Sequence, residues 1–227
     1  MTGAEEILGF FRAVSDERAQ RAGDPQFDAR VFALKDYQQR RFKCSYADLL
    51  ASPRYAAATR FFLQDLYGPE DFSARDAQLT RVVPALVRLF PADVVQTVRL
   101  LAELHAIAER LDSRMARALD ALPVTAVNYQ QAWLSVGEPD LRQRQIDLTM
   151  EIGAALDGYT RKPLLRQALR MMRGPAAAAG LTALQSFLET GFDTFKSMQG
   201  ADEFLATVRE REMRLFVIGV LVGSRKQ

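Results

Sequence analysis

Apolar residues recur at three- and four-residue intervals along nearly the whole chain, and the runs are separated by short clusters of glycine and proline. That spacing lines one face of an α-helix, and such clusters mark where helices stop and restart. The first segment, Ala4 to Ala22, places Ile7, Phe11 and Val14 on one face and ends at Gly23-Asp24-Pro25. The second carries Phe27, Val31 and Leu34 and becomes polar at Gln38 to Arg41. Ser52-Pro53 predicts a capped helix start, with Tyr55, Thr59, Phe62 and Leu66 on one face until Gly68-Pro69. Ser73 to Asp76 reads as a capping box that opens a helix with Leu79, Val82, Leu86 and Phe90 in a stripe and Pro84 as a kink.

The longest uninterrupted segment runs from Ala92 to Ala121, free of glycine and proline, and predicts a central helix about 45 Å long. Val94, Val98, Leu101, His105, Ala108, Met115 and Leu119 share its main stripe, and Leu100, Leu104, Ile107 and Leu111 line the strip beside it. Two apolar strips predict neighbours on two sides. Shorter helices follow from Asn128 to Val136, around Leu141 to Tyr159, and from Pro163 to a stop at Gly174-Pro175. Leu181 to Phe195 and the segment from Asp202 complete the series. The final run, Leu215 to Val222, is β-branched enough for a strand, but nothing else in the chain would pair with it, so a buried terminal helix is expected. The fold expected is all-α: a single domain over residues 1–227 of about eight to ten helices packed around the central one, with a minor subdivision near 122–139.

Composition agrees with a folded core: 48% hydrophobic and 26% charged residues among 227. Thirty basic residues against 28 acidic ones leave a net charge of +2, interspersed along the chain, which argues against a nucleic-acid partner drawn by a field of one sign. The single cysteine, Cys44, forms no internal disulfide, and residues 1–9 lack the basic and apolar regions of a signal peptide, so a cytoplasmic location is expected. The longest apolar run is far short of the roughly 20 residues that span a bilayer.

Candidate chemistry is sparse. His105, the one histidine, could serve as a base or as the axial ligand of a haem-like cofactor against Phe61, Phe62 or Phe90. The alternative is a partly buried histidine with a local hydrogen bond. His105 and Glu109 are too few for a metal, so neither metal nor cofactor is expected. Asp65, Glu70, Asp71 and Asp76 read as helix-capping carboxylates, and Arg40, Arg41 and Lys43 as a solvated helix end. Gly219-Val-Leu-Val-Gly223 has the spacing that lets helices approach closely, which makes Leu215, Ile218, Gly219, Val222 and Gly223 candidates for an interface.

Phe61-Phe62-Leu63-Gln64-Asp65-Leu66-Tyr67-Gly68, followed by Asp71-Phe72-Ser73 and Arg75-Asp76, resembles the signature of a family of uncharacterised bacterial helical proteins. The resemblance extends to Glu103-Leu104-His105, to Phe187 through Phe192 and to Arg211-Glu212. It implies the helical fold and carries no activity. Two functions fit these features. The first is a non-enzymatic cytoplasmic protein that binds itself or another protein. The second is a binder of, or enzyme on, an apolar small molecule or haem-like group, held near His105 and the face of Phe61, Phe62, Leu66 and Tyr67.

Overall fold

A computed structural model of the chain describes residues 3–66 and 72–224, with 65, 66, 163 and 217–224 described by backbone alone. Tyr67 of the aromatic motif lies outside the described residues, as do the side chains of Leu66, Ile218, Gly219, Val222 and Gly223. The described chain is helical and contains no strand. The elements are α1 (Gly3–Ala22), α2 (Pro25–Ser45), α3 (Ala47–Ala51), α4 (Ala56–Phe61), a π-helical turn (Phe62–Leu66), α5 (Ser73–Leu89), α6 (Ala92–Leu119), α7 (Ala126–Val136), α8 (Pro139–Thr160), α9 (Pro163–Met171), α10 (Arg173–Ala178), α11 (Thr182–Ser197) and α12 (Asp202–Ser224). Nine of the twelve α-helices have nine residues or more, which agrees with the helix number expected from periodicity.

Local chemistry accounts for most of the boundaries. Asp24 Oδ1 accepts from the amides of Gln26 and Phe27, both at 3.0 Å, and Pro25 occupies the first helical position of α2, where no hydrogen bond is lost. Thr125 caps α7 in the same way. Gly137 supplies the positive φ of +63° that turns the chain between α7 and α8. The final apolar run is helical as part of α12.

Two expected boundaries differ. The helix expected at Ser52-Pro53 starts at Ala56: the Ser52 carbonyl, rather than its side chain, accepts from the amides of Tyr55 and Ala56. Gly174-Pro175 does not end a helix but lies in the first turn of α10, where amides have no intrahelical partner to lose. Helix α5 runs on through Pro84, and its one fully buried apolar side chain is Val83, while Phe90 is half exposed.

Helix α6 has 28 residues, about 42 Å. It packs against α1, α2, α7 and α8, with a smaller contact to α5, and α8 in turn carries α11 and α12. The apolar interior is divided. One cluster joins Tyr46, Leu49 and Tyr55 to Phe195, Met198 and Phe204; a second joins Phe27, Val31 and Leu34 to Met115 and Leu119. A third holds Ile7, Phe11, Val83 and Ala102, and a fourth Leu100, Leu148 and Ile152.

The aromatic motif joins the first of these clusters to α11. Phe62 contacts Phe195 and Phe204 at ring distances of 6.1 and 5.6 Å, and Phe61 stacks on Phe187 at 5.5 Å. The backbone of α11 comes close to Phe61 because position 191 is glycine: a Cβ there would lie 3.0 Å from Phe61 Cζ. Gly191→Val forces the ring or the helix to move and is expected to cost about 1–3 kcal/mol. A fall in thermal midpoint against wild type checks this, and an unchanged midpoint contradicts the packing.

Candidate functional site

Along α6, residues Leu101, Leu104, His105, Ala108, Leu111, Asp112 and Met115 form one continuous helical stripe, and all of them line a cavity of about 430 Å³. The stripe is about 21 Å long at 1.5 Å per residue. The remaining wall comes from most of the fold: Phe11 from α1, Gln38, Arg41 and Phe42 from α2, Phe62 and Leu63 from the π turn, and Leu79 from α5. Tyr129 and Trp133 of α7, Ile146 and Met150 of α8, Leu184 and Phe187 of α11, and Phe204, Val208, Leu215 and Phe216 of α12 close it. Members of the first three core clusters line the cavity, as do Leu101 and Leu104, which pack against the fourth.

One wall of the cavity adjoins a buried charge cluster. His105, Glu109 and Asp112 stand one turn apart on α6. Glu109 is 3% exposed and pairs with Arg21 and Arg18 of α1 and with Lys35 of α2, the last at 2.8 Å. Burial pushes its carboxyl up, but the charges of Lys35 and Arg21 and the Lys35 hydrogen bond outweigh burial and bring it down to about 2. Asp112 accepts from Gln38 Nε2 at 3.1 Å with Lys35 farther off at 3.9 Å. For this carboxyl burial prevails, Glu109 adds to it, and its pKa is raised.

Asp76 reaches in from α5. Its Oδ2 lies 2.8 Å from His105 Nε2 and 3.0 Å from Arg18, and Arg75 stands beside its other oxygen at 3.4 Å. Burial raises this carboxyl too, yet the His105 hydrogen bond and the neighbouring charges leave it below the ordinary value. Since Asp76 is an acceptor, His105 Nε2–H is the donor.

The family described as "Domain of unknown function (DUF8198)" matches residues 17–218, from within α1 to well into α12. The chain belongs to the DUF8198 family. No curated protein and no solved structure matches it. The matched span holds every cavity-lining residue except Phe11.

In this DUF8198 chain, His105 and Phe62 both lie on the cavity wall, while Phe61 is buried behind it against Phe187 and Gly191. The histidine is not held by a local hydrogen bond; its partner is Asp76 of α5, with Arg18 of α1 close beside the same nitrogen. Its Nε2 lies 2.8 Å from Asp76 Oδ2 and 3.2 Å from Arg18 Nη2. Among the described residues no hydroxyl or thiol is bonded to His105, and no group of three or more His, Cys, Asp and Glu is placed to hold a metal. Asp76 is not a helix cap: α5 has no side-chain cap, and the carboxylate turns inward to the histidine. The basic end of α2 divides, with Arg40 paired to Asp36 at the surface and Arg41 on the cavity wall. Leu215 is 41% exposed and also touches the cavity.

Sequence reasoning missed Arg18, Arg21, Lys35, Gln38 and Trp133 as site residues. The signal was present on α6, where an apolar stripe is interrupted by His105, Glu109 and Asp112; carboxylates one turn apart on a buried face demand cations from neighbouring helices.

The Glu109 cluster makes a prediction with a defined sign. Its folded pKa is about 2 against an ordinary 4.5, so its contribution is whole above about pH 4.5 and is lost as pH falls toward 2. Glu109→Gln leaves Arg21 and Lys35 facing a neutral group and is expected to cost about 3 kcal/mol near pH 7. The variant's disadvantage then shrinks on acidification. Urea midpoints from pH 7 to pH 3 check this; a wild type and variant separated by a constant amount contradict it.

Proposed function

We propose that this protein binds an elongated, largely apolar small molecule between its helices, along the stripe from Leu101 to Met115 on α6. The observation that carries the reading is the cavity itself. Its volume of about 430 Å³ lies in the range of small-molecule sites, and its wall is mainly aliphatic and aromatic, with polar groups on α2, α4, α5, α6, α7, α8 and α12. Apolar wall of this extent in contact with water is unfavourable, and a ligand that covers it removes that surface from water. Such a space is filled by a ligand or by water, and an apolar wall gives water few partners.

Trp133, the only tryptophan of the chain, stands on this wall beneath Arg142 and against Phe216, so it reports occupancy directly. Titration with straight-chain primary alcohols is expected to change its emission saturably. Affinity should rise about four-fold for each added methylene, as expected from about 0.8 kcal/mol per buried CH₂, until the cavity is full. Ala108→Phe, which fills the stripe, abolishes the response without lowering the thermal midpoint. A series that never saturates, or an Ala108→Phe variant that binds as wild type does, contradicts the reading.

A second reading, association through α12, is supported by the 41% exposure of Leu215. On that reading Leu215→Glu reduces the size of the particle in solution. A monomer before and after the change removes it.

A further inference from the structure

The acids on the cavity wall all have partners. Asp76 is held by His105, Arg18 and Arg75, and Asp112 by Gln38 with Lys35 behind it. Glu212 on α12 accepts the Tyr46 hydroxyl at 2.6 Å. Arg41 is different. It lines the cavity half-buried, makes no ion pair among the described residues, and its Nε is fully covered with no hydrogen-bond partner. Its guanidinium lies 4.7 Å from the centre of the Phe42 ring, which is itself part of the wall. One turn back on α2, Gln38 is 6% exposed and its Oε1 is also buried without a partner. This stretch of α2 therefore brings unused hydrogen-bonding capacity and a positive charge without a direct ion pair to a largely apolar cavity. The covered Nε–H is out of a ligand's reach, so the cavity can use only the outer nitrogens of the guanidinium, for which an anionic acceptor is the strongest partner.

We propose that the cavity takes an amphipathic carboxylate, its acid group bound by Arg41 and its apolar tail lying along α6 toward Leu101. The assignment rests on the ligand-binding reading above and adds the chemistry of the headgroup. Two neighbouring carboxylates do not oppose an anion here, since Glu109 is neutralised by Arg21 and Lys35 and burial favours the neutral form of Asp112; Glu212 on α12 is held by Tyr46 and forms no ion pair with Arg41, which leaves the guanidinium open to an acid. Gln38 Oε1 is an acceptor, so it suits a water or hydroxyl beside the acid rather than the anion itself.

Three ligands with the same tail separate the headgroup from the cavity: dodecanoate, dodecanol and dodecyltrimethylammonium, each titrated against the full chain and followed by Trp133 emission and calorimetry. The carboxylate is expected to bind about ten- to a hundred-fold more tightly than the alcohol, as a charge-assisted bond implies, and the ammonium more weakly than either. Arg41→Met brings dodecanoate down to the alcohol's affinity and leaves the alcohol unchanged, while Arg41→Lys keeps part of the preference. Equal binding of all three, or equal loss of acid and alcohol in Arg41→Met, overturns the headgroup assignment and leaves the cavity reading standing. Binding of none of the three overturns both. Should Arg41→Met fail to fold, the ranking of the three ligands on wild type and on Arg41→Lys decides between these outcomes.

Discussion

Glu109 sits in the middle of the central helix, almost without exposure, and an ionised carboxylate in that position must be matched from outside its own helix. Arg21 and Arg18 reach it from α1 and Lys35 from α2, so one acid ties three helices together at a defined rotation and height. Burying such a cluster adds little net stability compared with an apolar core of the same volume. Its consequence is geometric. A helix that presents His105, Glu109 and Asp112 on one face cannot offer all of that face for apolar close packing, and the apolar residues gather into four groups instead of one, three of which include α6 residues.

The cavity follows from the same arrangement. Its polar wall is built by groups that the cluster holds in place: Asp76 through His105 and Arg18, and Asp112 through Gln38. Its apolar wall is built by the large rings and aliphatic chains of α7, α8, α11 and α12, whose side chains lean inward from helices packed on each other as well as on α6. Each acid that faces this interior has a direct partner, a cation or histidine for Asp76, Gln38 for Asp112 and the Tyr46 hydroxyl for Glu212, which is why an arginine without one at the same wall carries information. The α5 end is electrostatically complete, and the α2 end has a positive charge without a direct ion pair among the described residues.

The aromatic motif connects this interior to the outer layer. Phe61 and Phe62 are adjacent in sequence yet serve different neighbours, one stacked on Phe187 and approached closely by the backbone of α11, the other between Phe195 and Phe204 on the cavity wall. The π turn begins at Phe62, directly after α4. A motif that resembles a family signature thus has a packing role on one side and a place on the candidate site on the other.

Much of the fold is a local property and was legible. Helix lengths, the central position of Ala92 to Leu119 and the stripe running through Leu101, His105, Ala108 and Met115 follow from 3.6-residue periodicity and the absence of breakers. Boundaries were less so where the same residues suit two places: Ser52-Pro53 and Gly174-Pro175 sit naturally at a helix start, a turn or a stop, and backbone partners chose among them. The sequence by itself determined that this is a helical protein with one long buried helix bearing a histidine and two acids. What only the tertiary structure decided is which charges meet and where space remains. Asp76 finds a histidine 29 positions away, and Glu109 a lysine 74 positions away. Such pairings depend on how helices are placed in three dimensions, and so does a void, which is a property of all the walls together and of no single segment.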